Sequence, residues 1–117
     1  MTDDEALALA VRLVACKHFR PMPGMRDLQG RTWTPDLLWR WNRTSDVPDL
    51  ADPATLGCLL ALVREAHDDE CACVFPIDYG PGGVRWIARL TAGGRDMTQH
   101  VHASEAEALV AALEAAP

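Results

Sequence analysis

The sequence predicts an α+β domain in which a three-stranded antiparallel meander is packed by three helices on one face. Two segments start with helix-capping residues and continue with apolar residues at helical spacing, one from residue 2 and one from residue 52. A third such segment starts at residue 104. Between the last two lie three β-type runs separated by glycine-rich breaks, as in consecutive hairpins. The runs are residues 71–78, 84–91 and 96–102.

The helix signals are most specific at the N-termini. Thr2 precedes three acidic residues, which favour the positive end of a helix, and the pattern predicts a helix to about Lys17. Asp52 followed by Pro53 is the strongest boundary, because Asp caps a helix and Pro suits its first turn. The leucine-rich stripe that follows predicts that this second helix is central and mostly buried. Ser104, with Glu three residues later, is a capping box.

Strand alternation assigns each side chain to a face once registers are assumed. We expect the first hairpin to pair Asp78 with Val84 and the second to pair Ala92 with Arg95. One face then holds Val74, Val84, Trp86, Ala88, Leu90, Met97 and Val101. The other holds Cys71, Cys73, Phe75, Ile77, Arg85, Ile87, Arg89, Thr98, His100 and His102. Apolar residues among Arg and His on this second face indicate either cover by the irregular segment 20–45 or a partner site.

The irregular segment follows a cluster of proline and glycine that ends the first helix. Within it, Thr34 and Pro35 are typical of a helix start, whereas Trp39 and Trp41 alternate with polar residues as in a strand. We favour an extended element or hairpin over 31–42, which would extend the sheet.

Composition bounds the remaining possibilities. The chain has 117 residues, enough for one domain spanning 1–117 that buries its own core. No run is long and apolar enough for a membrane span, and the acidic start is the wrong charge for a secretion signal, so we expect a cytoplasmic protein with free thiols and no membrane partner. The net charge of −6 disfavours nonspecific nucleic-acid binding, yet residues 17–43 carry six basic side chains against two acidic ones.

Catalytic and metal chemistry find little support. Two thiols and two imidazoles, at Cys71, Cys73, His100 and His102, are suitable zinc ligands, but the assumed register keeps the pairs roughly 10 Å or more apart. No nucleophile elbow is present, and the glycines at 80–83 join two strands instead of opening a helix on a phosphate. The acids at 68–70 are expected to form a solvated cluster. We therefore expect no enzyme activity, no cofactor and no metal.

The segment most suited to binding is the Trp/Arg segment, residues 31–43. Trp and Arg are enriched at interface hot spots, because each buries a large area and offers directed donors. The same pairing stacks on single-stranded nucleic acid, and the competing interpretation is that the tryptophans belong to the core. The predicted partner-binding residues are Arg31, Trp33, Trp39, Arg40, Trp41 and Arg43, together with Phe75 and Ile87 from the second sheet face.

Three stretches carry a resemblance: MPGM at 22–25, PDLADPATLGCLLALVREA at 48–66, and the ending at 105–117. The chain resembles small uncharacterised proteins encoded by bacteriophages and prophages of GC-rich bacteria. The resemblance implies an accessory protein that acts by binding, such as an inhibitor of a host defence system like CRISPR. The expected function is therefore protein binding without catalysis, with single-stranded nucleic-acid binding as one alternative and a metal-binding or enzymatic domain as another.

Overall fold

A computed structural model of the chain describes residues 2–33, 47–90 and 101–117. The helices are α1 (Asp3–Ala15), α2 (Pro53–Ala66) and α3 (Glu105–Glu114). The strands are β1 (Cys73–Asp78), β2 (Val84–Arg89) and β3 (Val101–His102). They form an antiparallel sheet in the order β1-β2-β3. The predicted α+β class with a three-stranded antiparallel meander is confirmed.

Each helix begins directly after the residue whose side chain caps it. Thr2 and Glu5 form a full capping box, in which each side chain bonds to the backbone N–H of the other. Asp52 accepts a hydrogen bond from the backbone N–H of Thr55 at 2.9 Å. Ser104 Oγ accepts one from the N–H of Glu107 at 3.1 Å. Because these caps lie within three residues of the groups they satisfy, local sequence is enough to place the helix starts.

The central helix is α3, and the prediction that α2 holds this place is wrong. Helix α3 contacts all three strands and both other helices. Six of its ten residues are buried, against four of fourteen in α2. Three of the six are alanines, whose small side chains let the sheet and the neighbouring helices approach closely. Leu59 and Val63 of the α2 stripe are buried, but the helix as a whole is not mostly buried as predicted.

The first hairpin has the predicted register, since Asp78 pairs with Val84. Its connection is a single 3₁₀ turn, Gly80–Gly82, closed by a 2.9 Å hydrogen bond from Tyr79 N to Gly83 O. Gly80 and Gly83 both have positive φ, at 66° and 80°, which explains the glycines at these positions. Val74 and Ala88 pair within this hairpin; Ala88 belongs to the same core cluster as the leucines of the helices, and Val74 packs against that cluster.

The predicted second register is wrong by one residue. Pairing Ala92 with Arg95 would align Val101 with Trp86, but Trp86 pairs with His102, and Ile87 pairs with Val101. The prediction assumed a two-residue turn, and hairpin register follows the turn length; the turn itself lies outside the described residues. A one-residue shift moves every side chain to the opposite face. Val101 therefore joins the face of Ile87, and His102 joins the face of Trp86.

The turn between α2 and β1 also departs from expectation. Asp69 is 5% exposed, so the acids at 68–70 are not uniformly solvated as predicted. Its Oδ1 accepts a hydrogen bond from Cys71 N at 3.0 Å, and Arg64 Nε donates to Ala72 O at 2.8 Å. These bonds fix the entry into β1.

Within the described ranges, none of the helices combines the length and the hydropathy that a membrane crossing needs.

Candidate interaction surface

The start of the Trp/Arg segment belongs to a small hairpin built around a buried carboxylate. Arg26 and Thr32 form an antiparallel bridge, and the turn is closed by hydrogen bonds from Asp27 N to Arg31 O and from Gly30 N to Asp27 O, both 3.0 Å. Gly30 has a φ of 80°, as expected at the left-handed position of a three-residue hairpin loop. The first residues of the predicted 31–42 element therefore pair with residue 26; residues 34–42 lie outside the described ranges.

Arg31 has a structural partner in this hairpin. Asp27 is 0% exposed, and its Oδ2 accepts a 2.8 Å hydrogen bond from Arg31 Nε. Its Oδ1 accepts from the backbone N–H groups of Gln29 and Arg31, both at 2.9 Å. The Arg31 side chain remains 48% exposed. Arg31 thus closes the hairpin while part of its guanidinium surface faces solvent.

Trp33 is also anchored. Its backbone N–H donates to Met25 O at 2.7 Å, and its half-buried ring packs against the core cluster that contains the fully buried Met25. The competing interpretation, that the tryptophans serve the core, therefore has support at Trp33. The other four predicted binding residues of this segment lie outside the described residues, so their role stays a prediction. They are Trp39, Arg40, Trp41 and Arg43.

The second sheet face is the surface that the described residues define best, and we call it the Arg85/Arg89 face. With the observed register, its members come from all three strands. They are Cys73, Phe75, Ile77, Arg85, Ile87, Arg89 and Val101. Phe75, Ile87 and Val101 lie side by side and form an apolar row across the sheet, with one arginine of β2 on each side of the row.

Burial differs along this row. Ile87 at the centre is 3% exposed, so this predicted binding residue forms the floor of the face. Phe75 and Ile77 are half-buried, and Val101 is 44% exposed. The residues available to a partner are therefore Phe75 and Val101, at the two ends of the row. Val101 was not among the predicted binding residues, because the assumed register placed it on the opposite face.

The two arginines of the face lack carboxylate partners within the described residues. Arg85 and Arg89 are both exposed, and in the described part of the chain the guanidinium of Arg85 donates to the carbonyl of Val84 at 3.2 Å. By contrast, three arginines elsewhere each pair with an acid; these pairs are Arg12 with Glu114, Arg20 with Glu65, and Arg31 with Asp27. In a chain with more acids than bases, the face thus keeps two cations that no described carboxylate neutralises.

The cysteines and His102 are not arranged for zinc. Cys73 lies on the Arg85/Arg89 face and His102 lies on the other side of the sheet. In the described ranges, no group of three or more potential ligand side chains is placed to hold a metal ion; His100 is outside those ranges. All four cysteines are free, as predicted. Burial, with the nearby charge of Asp52 adding to it, raises the pKa of the Cys58 thiol, so this thiol is a poor nucleophile at neutral pH.

Two other histidines have structural roles. His67 Nε2 donates to Ala112 O at 2.7 Å, and His18 Nε2 donates to Ala116 O at 3.2 Å. A carbonyl oxygen only accepts, so each Nε2 must carry the proton. Both carbonyls lie in or just after the last turn of α3, where backbone acceptors lack helical partners. These imidazoles therefore hold the end of the central helix.

A cleft of about 430 Å³ lies between α1 and the start of α3. Three charged side chains among the described residues line it. Arg12 pairs with Glu114, Glu5 accepts the backbone N–H of Thr2, and Glu107 Oε1 lies 3.8 Å from His102 Nδ1. Comparison with protein-family models, curated proteins and solved structures found no match to this chain.

Proposed function

We propose that this protein is a non-enzymatic protein-binding module and that the Arg85/Arg89 face makes the contact. The observation that carries the proposal is an apolar row that ends in the exposed Val101 and the half-buried Phe75 and lies between two arginines without described acid partners. Apolar groups ringed by arginine are typical of interface centres, where the apolar area leaves water and the guanidinium groups supply directed hydrogen bonds. A sheet face exposed only to solvent more often carries polar residues.

The Trp/Arg segment adds to this proposal through its composition. Arg31 keeps about half of its side chain exposed although it also closes the hairpin. The resemblance to phage-encoded proteins favours an accessory role that works by binding, including inhibition of a host defence system. The composition of the segment and the resemblance favour a binding role, whereas the sheet face supplies the proposed contact surface.

Replacing Val101 by Glu tests the proposal. A carboxylate in the apolar row should reduce capture of a specific partner from host lysate by tenfold or more, about 1.4 kcal/mol. The matched control is Val11→Glu, since Val11 is 49% exposed on α1 and Val101 is 44% exposed. Circular dichroism and thermal unfolding establish that both variants fold. Equal capture by both variants and the wild type would contradict the proposal.

Single-stranded nucleic acid is the competing ligand, since unpaired arginines also attract phosphate. Binding of that kind falls steeply with salt through counterion release, whereas a desolvated protein interface is less sensitive. Titrating a fluorescent oligothymidine at low and at physiological salt separates the two functions. We expect only weak, strongly salt-dependent binding, because the net charge of −6 opposes approach of a polyanion.

A further inference from the structure

We infer that the Arg85/Arg89 face recognises an extended acidic segment of its protein partner, in which two carboxylates flank one apolar side chain. This inference rests on the proposed function and names the chemistry of the partner. Its basis is charge complementarity. The face presents two exposed arginines that no described acid neutralises, and the rest of the chain carries the excess of negative charge.

The spacing of the arginines specifies the pattern. Arg85 and Arg89 lie four residues apart on β2 and point to the same face, so their Cα atoms are separated by about 13 Å. An extended segment running along β2 places residues i and i+4 at the same separation, with residue i+2 facing the same way. The matching segment is therefore acid-x-apolar-x-acid. Its apolar residue lies over the row formed by Phe75, Ile87 and Val101.

The packing geometry is that of two sheets face to face. In the aligned class of packing, sheets stack about 10 Å apart with strands within about 30° of each other, and this class keeps the partner strand close to the direction of β2. A helix would need its acids about nine residues apart to span the same distance, because it rises 1.5 Å per residue. The spacing of acids in a bound sequence therefore reports the conformation of the partner.

Selection from a displayed library of random 12-residue peptides tests this inference on the full chain. We expect enriched peptides to carry two acids four residues apart with an apolar residue between them. Arg85→Glu/Arg89→Glu should weaken their binding by about tenfold or more, and peptides with Lys in place of both acids should regain binding to that variant. The matched control is Arg26→Glu, since Arg26 is exposed, lies off the face and has no described acid partner.

The other outcomes separate the inference from the function. Peptides that need Val101 but lack paired acids would overturn the inference and leave protein binding in place. Enrichment that persists in Val101→Glu, or none at all, would overturn both. A loss in Arg26→Glu equal to that in the double variant would show attraction to net charge alone, against the inference. Tight binding of an oligothymidine that the double variant abolishes would assign the arginines to phosphate and reject the acidic segment.

Discussion

The buried carboxylate of Asp27 offers the sharpest test of how the start of the Trp/Arg segment is held. Asp27→Ala leaves the N–H groups of Gln29 and Arg31 without their acceptor and breaks the bond to Arg31 Nε. A donor that loses its acceptor costs about 1–3 kcal/mol when it is fully buried, and these two hydrogen bonds are partly buried. The ion pair adds little, because the Arg31 side chain is 48% exposed and water replaces the lost partner. We therefore expect a loss of about 3 kcal/mol, a large part of the 5–15 kcal/mol typical of a domain.

A graded pair of variants isolates the cause. Asp27→Asn keeps the shape and the oxygen that accepts the two N–H groups, but turns an amide NH₂ toward Arg31 Nε, so we expect about 1–2 kcal/mol. Asp49→Asn is the control, since Asp49 accepts the N–H of Ala51 at 3.0 Å in an exposed turn, and we expect less than about 0.5 kcal/mol.

Urea unfolding followed by circular dichroism measures these differences. With a slope of about 2 kcal/mol per molar urea, Asp27→Ala should lower the midpoint by about 1.5 M. A change below about 0.5 kcal/mol for Asp27→Ala would refute the view that this carboxylate organises the hairpin. Equal losses for the Ala and Asn variants would show that the negative charge matters and that the backbone bonds do not.

Three further predictions follow from local geometry. Gly57 and Gly30 both have open space where a Cβ would lie, but only Gly30 has a positive φ. Gly57→Ala should therefore stabilise the protein by about 0.5–1 kcal/mol. Gly30→Ala should instead cost about 1 kcal/mol in the same urea assay. Ser104→Ala removes the cap of the central helix and should cost about 1 kcal/mol by thermal unfolding, with an unchanged melting temperature as the contrary result. Hydrogen bonds from Arg20 lower the pKa of Glu65 below the ordinary pKa of a Glu side chain. The ion pair therefore contributes its full stability at pH values above that ordinary pKa. The contribution is lost as the pH falls through the lowered pKa of the folded protein. An NMR titration should show the Glu65 pKa returning toward its ordinary value in Arg20→Gln, and an unchanged pKa would reject the pairing.

Local sequence predicted what local contacts determine. The helix starts at Thr2, Asp52 and Ser104 depend on bonds within three residues, and the first hairpin depends on a glycine-rich turn. The central position of α3 was not predictable in this way, because it depends on which helix the sheet and both other helices approach. Buried alanines allow that approach, yet alanine has no strong hydrophobic signal in a sequence.

The buried acids were missed for a different reason. Charged residues are usually solvated, so Asp69 was assigned to a solvated cluster, and no structural role was predicted for Asp27. A signal was present, since Asp at the first position of a turn and Gly at the fourth are typical of a type I turn, and Asp27 and Gly30 have this spacing. The turn signature could have located the hairpin. Only the packed structure reveals that the carboxylate at its base is sealed from water.

The register of the second hairpin had the largest consequence for the candidate surface. With the predicted pairing, His102 would share a face with the two arginines. The observed pairing replaces His102 by Val101, which makes the row beside Ile87 apolar. Histidine and valine favour different ligands, because an imidazole offers a hydrogen bond or a metal ligand whereas an isopropyl group offers only area removed from water. One residue of register therefore separates a polar or metal-binding surface from the apolar, arginine-flanked surface on which the proposed acidic partner depends.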